Sequence, residues 1–347
     1  MTVFVFKRLL IIPIILLLLS GIIFSLTFFL TPTQRAAVFI SSPDELHQVD
    51  IEDLIVRYEL DQPFYQQYTN WLIGILKGDW GWSTSHRMPV LQVLRHRIPA
   101  TIELMLLGQG LIIMGTFLLS IIATYYENRI PDIIIRFLTT LWLSIPNFVT
   151  GILLLVLFYV QLDFFAPGRL SLSMTDIVYS SQFTNYTGMH LLDAILNRRV
   201  DVFINAFSHL VLPGLAYALS PVASNTRIMR SSMLDQKNSL YTDTARMKGV
   251  SEIKIMSKHV FRNALIPTVT MMGMQIPTLV GGSVIIETIF NFPGMGLFVV
   301  TAARGLDFAA IIGASLAICI LIMISNLLVD IVYGVLNPKV RVERYGE

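Results

Sequence analysis

Six stretches of this sequence run without charge, or nearly so, for long enough to cross a bilayer. They are Leu9–Leu30, Ile98–Tyr126 (interrupted only by Glu103), Phe137–Leu162, Val202–Thr226, Asn263–Ile286 and Phe308–Val329. At about 1.5 Å per helical residue, Leu9–Leu30 reaches roughly 33 Å against a hydrocarbon core of about 30 Å. Within lipid each backbone polar group must find its partner inside its own segment, so these runs are predicted to be helices. The composition agrees: 14% of residues are charged, where a soluble domain carries roughly 25%. Lys7 and Arg8 ahead of the first run resemble a secretory leader, but leader cores are about 7–15 residues long, so a retained span is expected. Pro13, Pro146, Pro213, Pro221 and Pro277 fall inside the runs and mark expected kinks.

Charge between the runs is uneven. One alternating set of segments (Met1–Arg8, Glu127–Arg136, Arg227–Arg262 and the tail after Val329) carries net charges of +2, 0, +5 and 0. The other set (Thr31–Arg97, Asp163–Asp201, Glu287–Asp307) carries −2, −1 and −1. Basic residues collect on the cytoplasmic side, so both termini are expected inside. The expected architecture is an all-α integral membrane protein with six transmembrane helices. It divides into residues 1–30 (first span), an extracytoplasmic segment 31–97, a core 98–337 containing the cytoplasmic loop 227–262, and a tail 338–347.

In the first outer segment, Ser42-Pro43-Asp44-Glu45 has the makings of a helix start. Phe64, Tyr68, Trp71, Leu72 and Ile75 recur at helical spacing, and with Trp80 and Trp82 they suit the headgroup level. The stretch Asp163–Asp201 reads as polar and turn-rich. Cys319 lies alone in an apolar run, which excludes an internal disulfide and any cysteine zinc cluster.

The inner loop is the most informative segment. Tyr241-Thr242-Asp243-Thr244-Ala245-Arg246-Met247-Lys248-Gly249 reads as a short helix of small residues ended by a glycine that can turn left-handed. Ser251-Glu252 then starts a second helix. There Ile253, Met256 and Val260 are expected on one face and Lys254, Lys258 and Arg262 on the opposite one. Such a helix suits the inner membrane surface, with the small-residue helix projecting towards a soluble partner.

Asp243-Thr244-Ala245, three residues, then Gly249 resembles the coupling signature of ABC-importer permeases, Glu-Ala-Ala-x-x-x-Gly, with Asp and Thr replacing Glu and the first Ala. The continuation His259-Val260-Phe261-Arg262-Asn263-Ala264-Leu265-Ile266-Pro267 is similar to the oligopeptide/dipeptide branch. So are Gly168-Arg169, Thr187–Asp193, His209–Pro213, Arg230–Leu234, Gly281-Gly282, Ile286–Phe290, Pro293–Gly296 and Asn326–Asp330. The resemblance covers nearly the whole chain. It implies a subunit that pairs with a second homologous permease, two ABC ATPase subunits and an extracytoplasmic solute-binding protein. Tyr241, Asp243, Thr244, Ala245, Arg246, Lys248 and Gly249 would engage the ATPase, and ATP with magnesium would bind only on the partners. Consistent with that division, no Gly-Lys dipeptide occurs, so the chain lacks a Walker phosphate loop.

Other residues admit two readings. Glu103, Glu287 and Asp330 lie near the ends of spans, where anchoring at the interface outweighs a functional role. Gly273, Gly281 and Gly282 suit close helix packing first, and a subunit interface or pore bend second. Pro293-Gly294-Met295-Gly296 suits a re-entrant turn or a plain surface loop. Gly281, Gly282, Glu287, Pro293 and Gly294 are the candidates for the pathway. The histidines His47, His86, His96, His190, His209 and His259 show no metal-ligand spacing, and the basic stripe beside a span points to lipid rather than nucleic acid. Two competing functions are an ion-coupled secondary transporter, which would want ionisable groups at mid-membrane, and an intramembrane enzyme, for which no nucleophile–base pair stands out.

Overall fold

A computed structural model describes residues 2–31, 38 and 61–336 of the chain. The expected helix start at Ser42–Glu45 and the tail 338–347 lie outside the described residues. The order is α1 (Thr2–Ser25, with a 3-10 turn Leu26–Phe29), α2 (Phe64–Lys77), a minimal hairpin β1 (Trp82–Ser83) and β2 (Met88–Pro89), then α3 (Val90–Tyr125). Next come α4 (Ile130–Ser144), α5 (Asn147–Leu154, running into a π turn Leu155–Gln161), α6 (Leu172–Val178), α7 (His190–Leu196) and α8 (Val200–Lys237). The last elements are α9 (Leu240–Met247), α10 (Glu252–Lys254, with a π turn Ile255–Val260), α11 (Phe261–Ile289), α12 (Met295–Arg304) and α13 (Phe308–Leu336).

Four helices are each long and apolar enough to cross a membrane, and two bent pairs raise the number to as many as six among the described residues. The run Phe137–Leu162 is not one straight rod: α4 and α5 meet at 106°. Pro146, at the junction, has no amide hydrogen to continue the ladder and holds the preceding residue extended. The second pair bends by 63° between Pro277 and Val280. Pro13, Pro213 and Pro221, by contrast, sit within continuous helices.

Helix α8 is the central post, packed against α3, α4, α5, α7 and α11. Its contact with α3 is close because small residues oppose large ones. A Cβ at Gly108 of α3 would overlap the ring of Tyr217. With lipid outside, close packing of this kind replaces the hydrophobic drive available in water. Three apolar clusters run along the bundle. At one end Ala100 and Leu104 meet Leu210, Ala216, Ile286, Phe290 and Phe292. Ile112, Tyr217, Val222 and Met272 follow, and at the other end Met229 and Met233 meet Ile255, Val260 and Ala264. That second end, which carries Lys237 and Arg246, is called the basic end below.

Helix α2 carries the aromatics whose helical spacing the sequence shows. Its aromatic face packs on protein: Trp71, 6% exposed, joins Phe24 of α1 and Ile312 and Leu316 of α13. The Tyr68 hydroxyl lies 2.7 Å from Ser20 Oγ and 3.0 Å from the Leu17 carbonyl oxygen. Aromatic rings bury most area when stacked on one another, and Phe24 stacks on Trp71 at 5.1 Å.

Candidate functional site

The seven residues expected to face an ATPase come together at the basic end. Ser239 enters α9 with an extended backbone, and Thr242 is fully buried, its hydroxyl donating to the carbonyl oxygens of Lys237 (2.8 Å) and Ser239 (2.6 Å). Arg246 organises the rest. Its guanidinium donates to Asp243 Oδ1 (2.8 Å), to Glu252 Oε1 (2.7 Å) and, at 3.4 Å, to the Lys237 carbonyl. These two carboxylates hold the Arg246 pKa above its ordinary value. Gly249 takes φ +74° with open space where a Cβ would lie, so the left-handed backbone alone selects glycine there. Tyr241 donates to Gln236 Oε1 (2.7 Å) and accepts from Asn263 Nδ2 (3.0 Å), tying α9 to both α8 and α11. Ala245 packs on the apolar cluster beneath, while Thr244 and Lys248 are exposed.

The result is a short helix fixed from below and bare on top. Leu240 and Met247 are each 86% exposed and Ile253 is 72% exposed. Of the three residues expected on one face, Val260 is buried and Met256 packs partly buried beside it, but Ile253 is exposed, and Ile255 and Ala264 join Val260 instead. The π turn Ile255–Val260 fits an extra residue into its turn and rotates the face that the 3.6 period predicts. Lys254, Lys258 and Arg262 are exposed, as their spacing implies.

The basic end is braced by ion pairs between segments distant in sequence. Arg230 of α8 grips Asp132 of α4 with Nε–Oδ1 and Nη2–Oδ2 both at 2.7 Å, and Lys237 Nζ lies 2.7 Å from Glu127 Oε2. With 98 residues separating Arg230 from Asp132, no local pattern signals the pair.

At the opposite end Glu287 has 0% exposure and no route to headgroups, which corrects the expectation of an interface anchor. Its Oε1 accepts from the Thr101 hydroxyl (2.7 Å), and its Oε2 accepts from the amides of Gly296 (2.6 Å) and Leu297 (3.1 Å). Thr101 Oγ in turn accepts from the amide of Met295 (2.7 Å). The carboxylate thus caps the first turn of α12 from another helix, where negative charge and free N–H groups match. The turn Pro293-Gly294-Met295-Gly296 is therefore no surface loop: a Cβ at Gly294 would overlap the Glu287 carboxylate, and one at Gly296 the backbone of Val284. Gly281 and Gly282 stand apart, with open space at both positions. Gly273 does permit close approach, a Cβ there meeting Val329 at 2.7 Å.

Glu103, 4% exposed, is no interface anchor either. Its Oε2 lies 2.7 Å from Arg169 Nη2, and its Oε1 accepts the Leu191 amide (2.6 Å) in the first turn of α7. Arg169 also donates to the Gly188 carbonyl (2.6 Å). Beside it, His190 is buried, and burial together with the Arg169 charge pushes its pKa down to about 3. Asp330 is half-buried. Among the described residues, no group of three or more His, Cys, Asp or Glu could hold a metal ion.

Comparison with known proteins places these features in a family. Residues 115–342 match the model described as binding-protein-dependent transport system inner membrane component, and residues 1–105 match its N-terminal counterpart. The chain is 32% identical over 297 residues to the oligopeptide transport system permease protein AppB of Bacillus subtilis, covering 85% of this chain and 86% of that one. It is 34% identical over 292 residues to the dipeptide transport system permease protein DppB of Escherichia coli (strain K12), covering 83% and 84%. The probable D,D-dipeptide transport system permease protein DdpB of the same strain is likewise 34% identical, over 86% of each chain. Such permeases are non-catalytic, the ATPase being a separate partner. The chain belongs to the family of binding-protein-dependent permeases, the inner-membrane subunits of ABC importers.

Proposed function

We propose that this permease passes dipeptides or short oligopeptides delivered by an extracytoplasmic binding protein, and that Tyr241–Gly249 is where a partner ATPase grips it. The observation that carries the docking reading is the bare top of α9. Leu240 and Met247 are exposed apolar side chains on a helix whose underside is fixed by Thr242, Arg246 and Tyr241, and Ile253 of the following α10 is exposed as well. Exposed apolar side chains on a rigid support are what a protein cleft can cover. Six spans with both termini inside, a second permease and two ATPases complete the assembly. The positive charge of residues 227–262 supports the placement of α9 in the cytoplasm. The peptide class comes from the relatives AppB, DppB and DdpB. At the other end Glu287, Pro293 and Gly294 shape the entry to the pathway by fixing α12, and Gly281 and Gly282 leave room beside α11.

Reconstitution with the partner ATPases and binding protein tests this. Uptake of labelled Ala-Ala is expected to require ATP, and Ala245→Trp is expected to abolish both ATPase association and uptake. Uptake without ATP overturns the mechanism. Labelling of Thr244→Cys from outside intact cells overturns the orientation, and ATP-driven uptake of a non-peptide solute in place of Ala-Ala overturns the substrate class.

A further inference from the structure

Resting on the docking of α9 just proposed, we infer that Asp132 and Arg230 are a positioning pair that carries displacement of the docking helix into the bent pair α4/α5. Polar contacts tie α9 to the end of α8 and α8 to the start of α4, joined by the last turns of α8 itself. Arg246 of α9 holds Asp243 and Glu252 and reaches the Lys237 carbonyl, which also accepts from Thr242. Lys237 pairs with Glu127 in the turn before α4. Along α8, Arg230 forks onto Asp132 in the first turn of α4.

The geometry of that last link differs from an ordinary salt bridge. The Asp132 side chain has 0% exposure and that of Arg230 16%. The carboxylate also accepts the Asn128 amide (2.9 Å), and Arg136 Nε stands 3.6 Å away. Two parallel N–H donors fix angle as well as distance, whereas a single ammonium contact lets its partners pivot. Buried ion pairs are a poor source of stability, since apolar replacements of equal volume often serve as well. What the fork adds is orientation. Because α4 meets α5 at 106°, a rotation of the α8 terminus passed through the fork sweeps α5 and does not merely slide α4 along its axis.

The test uses the assembled complex of permeases, ATPases and binding protein in nanodiscs, in a Cys319→Ser background. Spin labels at Leu141→Cys on α4 and Leu328→Cys on α13 report distance, with ATP and vanadate added, and hydrolysis is measured on the same sample. The unaltered pair is expected to give an ATP-dependent distance change. Arg230→Lys, which keeps the charge but loses the fork, and the apolar pair Asp132→Leu/Arg230→Met are expected to assemble, to hydrolyse ATP within about twofold of normal, and to lose the change. Absence of the change in the unaltered complex overturns the proposal, as does its survival in either variant. Failure of both variants to assemble also overturns it, by assigning the pair to folding alone. Ala245→Trp runs in parallel: intact ATPase association there refutes the docking of α9 itself and is read independently of the distance.

Discussion

Replacing Glu287 separates a helix cap from a free charge, because alanine and glutamine remove different parts of the same contact. Alanine takes away the carboxylate that accepts from the Gly296 and Leu297 amides and from the Thr101 hydroxyl. Each orphaned buried amide costs about 1–3 kcal/mol, so the two cost about 2–6 kcal/mol. Loss of negative charge at the α12 N-terminus adds about 0.3–2 kcal/mol. Glutamine can turn its carbonyl oxygen to both amides and its NH2 group to Thr101 Oγ, and so forfeits only that ionic increment, about 0.3–2 kcal/mol. The assay is labelling of Ala302→Cys, a fully buried position on α12, by a membrane-impermeant thiol reagent in a Cys319→Ser background. Local opening eased by 2 kcal/mol raises the labelling rate about 30-fold, so Glu287→Ala is expected to label at least that much faster. Glu287→Gln should fall well below it. Equal rates for the unaltered protein and Glu287→Ala would refute the capping account. Equal damage from both substitutions would show that charge, and not acceptor geometry, holds α12.

Three further outcomes follow from the same physics. Gly108→Val should drive a methyl into the Tyr217 ring and lower the apparent Tm of the solubilised complex by an overpacking cost of about 1–3 kcal/mol, with Tyr217→Ala relieving most of it in the double variant. At Gly249, alanine should cost about 1–2 kcal/mol of local stability and asparagine less, since the left-handed backbone is the sole constraint; uptake per ATP in proteoliposomes should rank glycine, asparagine, alanine. His190 is neutral when folded, with a pKa pushed down to about 3, while the unfolded side chain titrates near 6.5. The unfolded state therefore binds more protons between these values. Stability from this group is complete above about pH 6.5 and falls by about 1.4 kcal/mol per pH unit below it until the folded pKa is reached. Thermal unfolding from pH 8 to pH 4 should show that slope, and His190→Phe should flatten it.

The periodic features of the fold could be read from the chain, and the pairings between distant segments could not. Charge-free length located the long apolar helices, because backbone satisfaction in lipid is a property of each segment alone, though α8 runs to Lys237, 11 residues past the expected end at Thr226. The bends at Pro146 and Pro277 carried a visible residue, yet Pro13, Pro213 and Pro221 carry the same residue within unbroken helices. The difference lies in what neighbouring helices supply, which proline itself does not encode. Between residues 241 and 262, Gly249 and the exposed basic stripe followed from local rules, while Ile253 was misplaced by a π turn that no period announces. Thr101 gave no signal, and Arg169 entered only through the Gly168-Arg169 resemblance, without a role. Each meets its carboxylate 186 or 66 residues away.

That blindness has a common chemical source in the acids. Glu103 accepts the Leu191 amide, Glu287 those of Gly296 and Leu297, Asp132 that of Asn128, Asp193 those of Thr187 and Gly188, and Asp307 those of Ser85 and Ala310. All five are buried. Where a short helix or turn interrupts the bundle away from water, its first amides need acceptors; Glu103 and Glu287 supply them from another helix at the favourable pole, whereas Asp132, Asp193 and, at Ala310, Asp307 reach amides a few residues along their own segment. From sequence alone an acid in a span reads as an anchor or a proton carrier. A carrier must exchange its proton as the cycle turns, and an acid that holds backbone amides, with Thr101 or Arg169 besides, would release its helix by doing so. These contacts therefore count against ion coupling through Glu103 or Glu287 and leave the drive with the partner ATPases, so that carboxylates in this subunit set shape. The same logic orders the variants: amide-for-acid changes at Glu103 and Glu287 should be tolerated far better than truncation to alanine. A proton-coupled carrier would treat the two alike.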